Sequence, residues 1–216
     1  ALQTMATDLK MVSDIQGADL VHSHTWYANF TGQVAGALHG IPHLITAHSL
    51  EPLRPWKAEQ LGGGYQISSW AEKTAYESAA AIISVSDGMR ADVLSAYPNV
   101  DPSKVHTIRN GVDVAKFAPN PDSSVLAKYG ITGPYATFVG RITRQKGLAH
   151  LLRAWRDVPS DYGLVLAAGS PDEPGIGNEV AELIAELQAS RGNVWWIKEM
   201  LPHDQLTAML TAADLF

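Results

Sequence analysis

The 216-residue chain contains no cysteine, which excludes disulfides, thiolate metal sites and cysteine nucleophiles. No apolar run approaches the ~20 residues that a membrane-spanning helix needs. The start lacks the basic segment and apolar stretch of a secretory signal. Positive charge is not in excess: 16 Lys and Arg stand against 22 Asp and Glu, a formal net charge of −6. A mildly acidic chain lacks the basic face that general nucleic-acid binding requires. Runs of like charge that would form a tail are missing too. These absences lead to the expectation of a cytoplasmic protein with neither membrane nor nucleic acid as partner. What is present is apolar material, 46% of residues, enough for one large or two small domains.

Short apolar runs alternate with longer amphipathic ones. Strands are predicted at Asp19 to Ser23, His43 to Ala47, Ala81 to Val85 and Val105 to Ile108, and helices near Asn29 to Leu38, Gln66 to Ala79 and Asp87 to Ala96. Ser86 before Asp87 is a good N-cap. Runs apolar on both faces suit a parallel sheet covered by helices. The alternation restarts after residue 134, with strands expected at Tyr135 to Val139, Leu164 to Ala168 and Val194 to Ile197, and helices at Leu148 to Val158, Asn178 to Ser190 and His203 to Ala212. Asn110-Gly111 and two prolines, Pro119 and Pro121, make the connection turn-rich. Two α/β domains are therefore expected, 1–115 and 116–216. Ala1 to Ser13 reads as a helix without a cap and Ala213 to Phe216 as the opening of a strand, so both domains are expected to be incomplete.

Gly140-Arg141-Ile142-Thr143-Arg144-Gln145-Lys146-Gly147 is read as a loop between a strand and a helix. An open α/β sheet places anionic ligands there, at the positive end of a helix dipole. The segment is neither a Walker A loop nor a G-x-G-x-x-G fingerprint. Arg141 can grip phosphate oxygens in a bidentate pair and Lys146 supplies a point charge; a solvated basic loop explains the spacing equally well. His48 stands at the carboxyl end of the His43 to Ala47 strand, where it can bond a sugar hydroxyl or serve as a satisfied histidine. After it come Ser49, then Glu51-Pro52-Leu53-Arg54-Pro55-Trp56-Lys57, then Leu61-Gly62-Gly63-Gly64-Tyr65, an aromatic and cationic stretch able to hold a sugar or sugar phosphate. His22 and His24 lack cysteine or clustered carboxylates beside them, so His24 and Trp26 are read as edge groups of a sugar cleft, not a metal site.

Together these segments resemble the retaining GT-B glycosyltransferases of family 4, most closely the actinobacterial-type glycogen synthase group. The resemblance rests on His22 to Tyr27, Thr46 to Lys57, Leu61 to Tyr65, Asn110-Gly111-Val112-Asp113, Gly140-Arg141 and Lys146-Gly147. It implies two Rossmann-like domains facing a cleft, the first for acceptor and the second for a nucleotide-sugar. It implies that Gly140, Arg141 and Lys146 hold the donor diphosphate and that His48 contacts the transferred sugar. His24, Trp26, Ser49, Arg54, Lys57 and Tyr65 would lie near sugar or acceptor, and Gly169, Ser170 and Met200 near the base. The family's glutamate pair, seven residues apart, and its first strand with a glycine-rich loop are absent from these residues. Where some bacterial glycogen synthases carry aspartate, this chain has Thr25.

The implied reaction is glucosyl transfer from ADP-glucose, or UDP-glucose, to an α-1,4-glucan end, with retention and without a metal or other cofactor. Transfer to glucose-1-phosphate, giving maltose-1-phosphate, is the alternative acceptor chemistry. A silent nucleotide- or glucan-binding fragment and a GT-B nucleotide-sugar epimerase are the other classes the sequence leaves open. No sequence feature assigns an oligomeric state.

Overall fold

A computed structural model describes residues 2–54 and 56–216. Ala1, in the predicted first helix, and Pro55, in the 51–57 segment, lie outside the described residues, as do the side chains of 59–61. The chain divides into two compact units, Ala1–Gly111 and Val112–Phe216.

Unit one runs α1 (Leu2–Asp14), β1 (Val21–His24), α2 (Trp26–His39), β2 (His43–Ala47), a 3-10 turn (Glu51–Leu53), α3 (Trp56–Leu61), α4 (Gly63–Ser78), β3 (Ala81–Ser84), α5 (Asp87–Ala96) and β4 (Val105–Thr107). The four strands form one parallel sheet in the order β1-β2-β3-β4. Its strands are apolar because helices cover them: Ile45, Ala47 and Ile82 are buried with Tyr76 of α4 and Val93 of α5. The predicted cap is present, the Ser86 hydroxyl accepting the Met89 N–H at 3.0 Å.

Gly32 sits in the middle of α2, where glycine is costly. A neighbour explains it: a Cβ at 32 would lie 2.2 Å from Nε2 of buried His43. His43 cannot swing away, because that nitrogen donates to Ser23 Oγ at 2.7 Å while Ser23 donates to Asn29 Oδ1 at 2.8 Å. Helix propensity alone would favour alanine by about 1 kcal/mol. Gly32→Ala is nevertheless expected to destabilise unit one by about 2 kcal/mol through overpacking, read as a lower urea midpoint. A raised midpoint would remove the argument.

Unit two runs α6 (Ser124–Tyr129), β5 (Tyr135–Ile142), α7 (Leu148–Ala154), β6 (Gly163–Pro171), α8 (Pro174–Arg191), β7 (Val194–Ile197) and α9 (His203–Ala212). Its strands are parallel in the order β5-β6-β7. Alternate residues of β6 go to opposite faces. Leu164, Leu166 and Ala168 meet α7 and α8, while Val165 joins a second core with Val125, Met209 and Ile197. Leu215 adds an isolated parallel bridge to Ala136 beside β5.

Two expectations need correction. The strand β5 continues through Gly140-Arg141-Ile142, and β6 through Gly169-Ser170-Pro171, because each supplies the other's ladder partners, Gly140 with Ala168 and Arg141 with Gly169. Arg141 and Gly140 are thus strand residues, with a bulge after Arg141. The helix after the loop stops at Ala154 and continues as a 3-10 turn, Trp155–Asp157. The glycines after Leu61 open α4, and a Cβ at Gly62 or Gly63 would meet nothing within 4 Å.

Candidate functional site

Two groups of the predicted residues lie at strand ends, one in each unit. In unit one, the parallel pairing of His24 with Thr46 brings the ends of β1 and β2 level. His48 follows β2 directly, and its Nε2 lies 2.9 Å from His24 Nδ1, the rings nearly parallel at 20° with centroids 5.2 Å apart. His22 stands 4.6 Å from His24 by ring centroids and holds Thr46 Oγ1 through Nε2 at 2.8 Å. Burial, then repulsion from His24, lowers the pKa of both His48 and His22. Among the described residues, no group of three or more His, Asp or Glu could hold a metal ion. Thr25, next to this cluster, has φ 66°, the one non-glycine residue at positive φ among the described residues. Strain of that kind collects at functional sites. Trp26 and Tyr27, edge to face at 5.9 Å, border an open cavity of about 650 Å³ beside α1 that Gln3, Thr4 and Asp8 also line.

The start of the 51–57 segment faces inward at Glu51, while Pro52, Leu53 and Trp56 are exposed. Glu51 is buried, taking a bond from Ser68 Oγ at 2.8 Å through its carboxylate and one from Tyr65 OH at 3.0 Å through its carbonyl. Its N–H donates to buried Glu72 Oε1 at 2.7 Å, which Tyr97 OH also bonds. Tyr65 is therefore engaged with this turn. Arg54 lies 3.7 Å from Glu51 Oε1 and is partly buried, so it braces the turn too. Half-buried Lys57 has no ion pair among the described residues, and Ser49 is half-buried beside His48. Nothing in the sequence distinguished inward-facing Glu51 from the cations that follow it. Glu72, on α4, and the His43–Ser23–Asn29 knot were missed, because only the fold brings these partners together.

In unit two, Arg141 Nη1 pairs with Asp172 Oδ1 at 2.8 Å and Arg144 with Glu173 at 3.9 Å. Lys146 is exposed. Its backbone is fixed by a 3-10 turn (Arg144–Lys146) whose cap, Thr143, accepts the Lys146 N–H through both its carbonyl, at 3.2 Å, and Oγ1, at 3.3 Å. Gly147, at φ 69°, then turns the chain into α7, a conformation costly for other residues. A Cβ at Gly140 would only touch Phe138, at 3.5 Å, so no described neighbour demands glycine there. Gly169 does have a packing reason, since a Cβ would lie 3.3 Å from the Lys198 carbonyl. Ser170 is exposed, and Met200 is 96% exposed. No helix among the described residues is long and apolar enough to cross a membrane.

Two Rossmann-like units with parallel sheets define the GT-B class of fold, and solved structures agree. Anabaena HepE in complex with UDP-glucose matches 96% of this chain and 54% of its own, with a TM-score of 0.77 at 17% identity. The family model for Glycosyltransferase Family 4 matches residues 2–116. The chain belongs to that family. It is 52% identical, over its whole length, to the alpha-maltose-1-phosphate synthase of Mycolicibacterium smegmatis, and 50% identical to that of Mycobacterium tuberculosis. In both comparisons it spans 57% of the relative's length.

Proposed function

We propose that the complete protein carrying this chain transfers a glucosyl group, with retention, from ADP-glucose to glucose-1-phosphate, forming α-maltose-1-phosphate. The observation that carries this reading is the 52% identity, across all 216 residues, to a protein named for that product. It reverses the order expected from the sequence, in which a glucan end came first as acceptor. Lys57 is the cation left to meet an acceptor phosphate, since Arg54 braces Glu51.

Arg141 and Lys146 would hold the donor diphosphate, and Gly140 leaves room for it. As the bond from the anomeric carbon to the diphosphate oxygen breaks, its electron pair goes to the diphosphate. The two cations bind the growing charge more strongly than the ground state, which lowers the barrier. The acceptor hydroxyl attacks from the same face, and its proton passes to the departing diphosphate. His48 meets the transferred sugar. No metal is placed in this scheme, because the cations supply the positive charge. The reading is of a cytoplasmic hexosyltransferase that serves glycogen synthesis.

The test is product analysis with the complete protein, ADP-glucose and either glucose-1-phosphate or maltooligosaccharide. Release of ADP only with glucose-1-phosphate, together with a new sugar phosphate, is the expected result. Extension of the oligosaccharide alone would make the acceptor a glucan. Nucleotide binding without turnover would leave a binding module. Faster transfer from UDP-glucose would overturn the choice of donor.

A further inference from the structure

The contact between His24 and His48 has a chemical consequence beyond proximity. Two imidazole nitrogens at 2.9 Å share one proton, one ring donating and the other accepting. The tautomer of either ring therefore fixes that of the other. If His24 Nδ1 carries the proton, His48 must carry its own on Nδ1, and the reverse assignment inverts both rings. While both rings are neutral, His48 Nδ1 and His24 Nε2 present one donor and one acceptor, never two of a kind. A lone exposed imidazole would sample both tautomers and rotate freely.

His22 packs against His24 as well. His22 lies 4.6 Å away, and its own ring is held on the Thr46 hydroxyl at 2.8 Å. Thr46 belongs to β2, as does the residue before His48, so strand register sets the spacing of all three rings. The lowered pKa of His48 keeps it neutral near pH 7, the state in which its tautomer matters.

We infer that His24 is a positioning residue for His48. It holds the ring plane in which His48 meets the transferred sugar and ties the tautomers of the two rings together, and does not itself hold sugar or acceptor. This rests on the proposed role of His48 in glucosyl transfer and revises the place expected for His24 in the cleft.

The experiment compares His24→Ala and His24→Asn with the unsubstituted complete protein. Asparagine places an amide near the imidazole Nδ1 position, able to donate or accept, so it keeps the bond that alanine removes. With 15N-labelled histidine, long-range 1H–15N spectra at pH 8 report the His48 tautomer. The unsubstituted protein and the Asn variant are expected to show a hydrogen-bonded His48 Nε2, its nitrogen shift displaced from that of the Ala variant, which shows the average of a free ring. In parallel, kcat should fall about tenfold in His24→Ala, the low end of the loss that follows removal of the orienting partner of a metal-ligating histidine. The donor KM should stay within about twofold, and kcat should largely return in His24→Asn.

An unchanged His48 spectrum in His24→Ala overturns the inference, because no bond then exists in solution. So does an altered spectrum with unchanged kcat. Loss of kcat in His24→Asn despite a restored spectrum would show that His24 touches substrate itself. Failure of the functional reading is separate: the unsubstituted protein would then transfer no glucosyl group, while the spectra still decide the imidazole bond.

Discussion

Lys146→Ala in the complete protein is expected to lower kcat by about 100-fold, the scale of losing one preorganised charge at a developing oxyanion. Three cations stand near the end of β5, and two are already matched. Arg141 has Asp172 at 2.8 Å and Arg144 has Glu173 at 3.9 Å. Lys146 has no ion pair among the described residues, so its charge is the one left uncancelled toward a diphosphate. Two unit charges 4 Å apart interact by about 4 kcal/mol at the dielectric of a protein surface. Part of that is realised only as the leaving group gains charge, so kcat should fall more than KM rises.

Arg141 supplies the control. Its partner Asp172 is an exposed carboxylate, and such a pair is worth about 1 kcal/mol or less. A diphosphate can displace Asp172, and Asp172→Asn should tighten ADP binding by up to about fivefold. Calorimetry and steady-state kinetics on these variants check both. Near-normal turnover in Lys146→Ala would remove the diphosphate assignment from this segment.

The parts of this fold legible in the sequence are those whose pattern is local. His43–Ala47, Asp87–Ala96, Val194–Ile197 and His203–Ala212 coincide with predicted elements, because apolar runs or a Ser cap mark their limits. The extra length of β5 and β6 was not legible, since Gly140-Arg141 and Gly169-Ser170 carry no apolar signal. Only their mutual register gives their backbones partners. The helices Trp56–Leu61 and Ser124–Tyr129 are six residues each, too short to show a 3.6-residue period. The site followed the same division. His24 and His48 were visible as residue types at strand ends, but their contact spans 24 positions and depends on β1–β2 pairing. Glu51 read as one more charge in a charged stretch, although its partners Ser68 and Glu72 come from α4.

Two buried groups in unit one should oppose each other as pH changes. Burial, then the neighbouring His22, pushes His43 down from 6.5 to about 4. Its folded pKa is depressed, so its contribution to stability is present above pH 6.5 and is lost as pH falls through 4. Burial pushes Glu72 up from 4.5 to about 7, against the bonds it accepts from Tyr97 and the Glu51 N–H. Its folded pKa is raised, so its contribution is present below pH 4.5 and is lost as pH rises through 7. Each loss amounts to about 3 kcal/mol. Between pH 4.5 and 6.5 the two slopes have opposite sign and nearly cancel, so the unsubstituted protein conceals both. Glutamine keeps the geometry at either place, its amide donating to Ser23 at 43 and its Oε1 accepting from Tyr97 at 72. Relative to the unsubstituted protein, His43→Gln should gain about 3 kcal/mol more at pH 4 than at pH 8, and Glu72→Gln about 3 kcal/mol more at pH 8 than at pH 4. Urea unfolding of both variants at the two pH values checks this, since the difference from the unsubstituted protein cancels every other titrating group. Differences independent of pH in both variants would show that neither group carries the burial cost that the fold imposes.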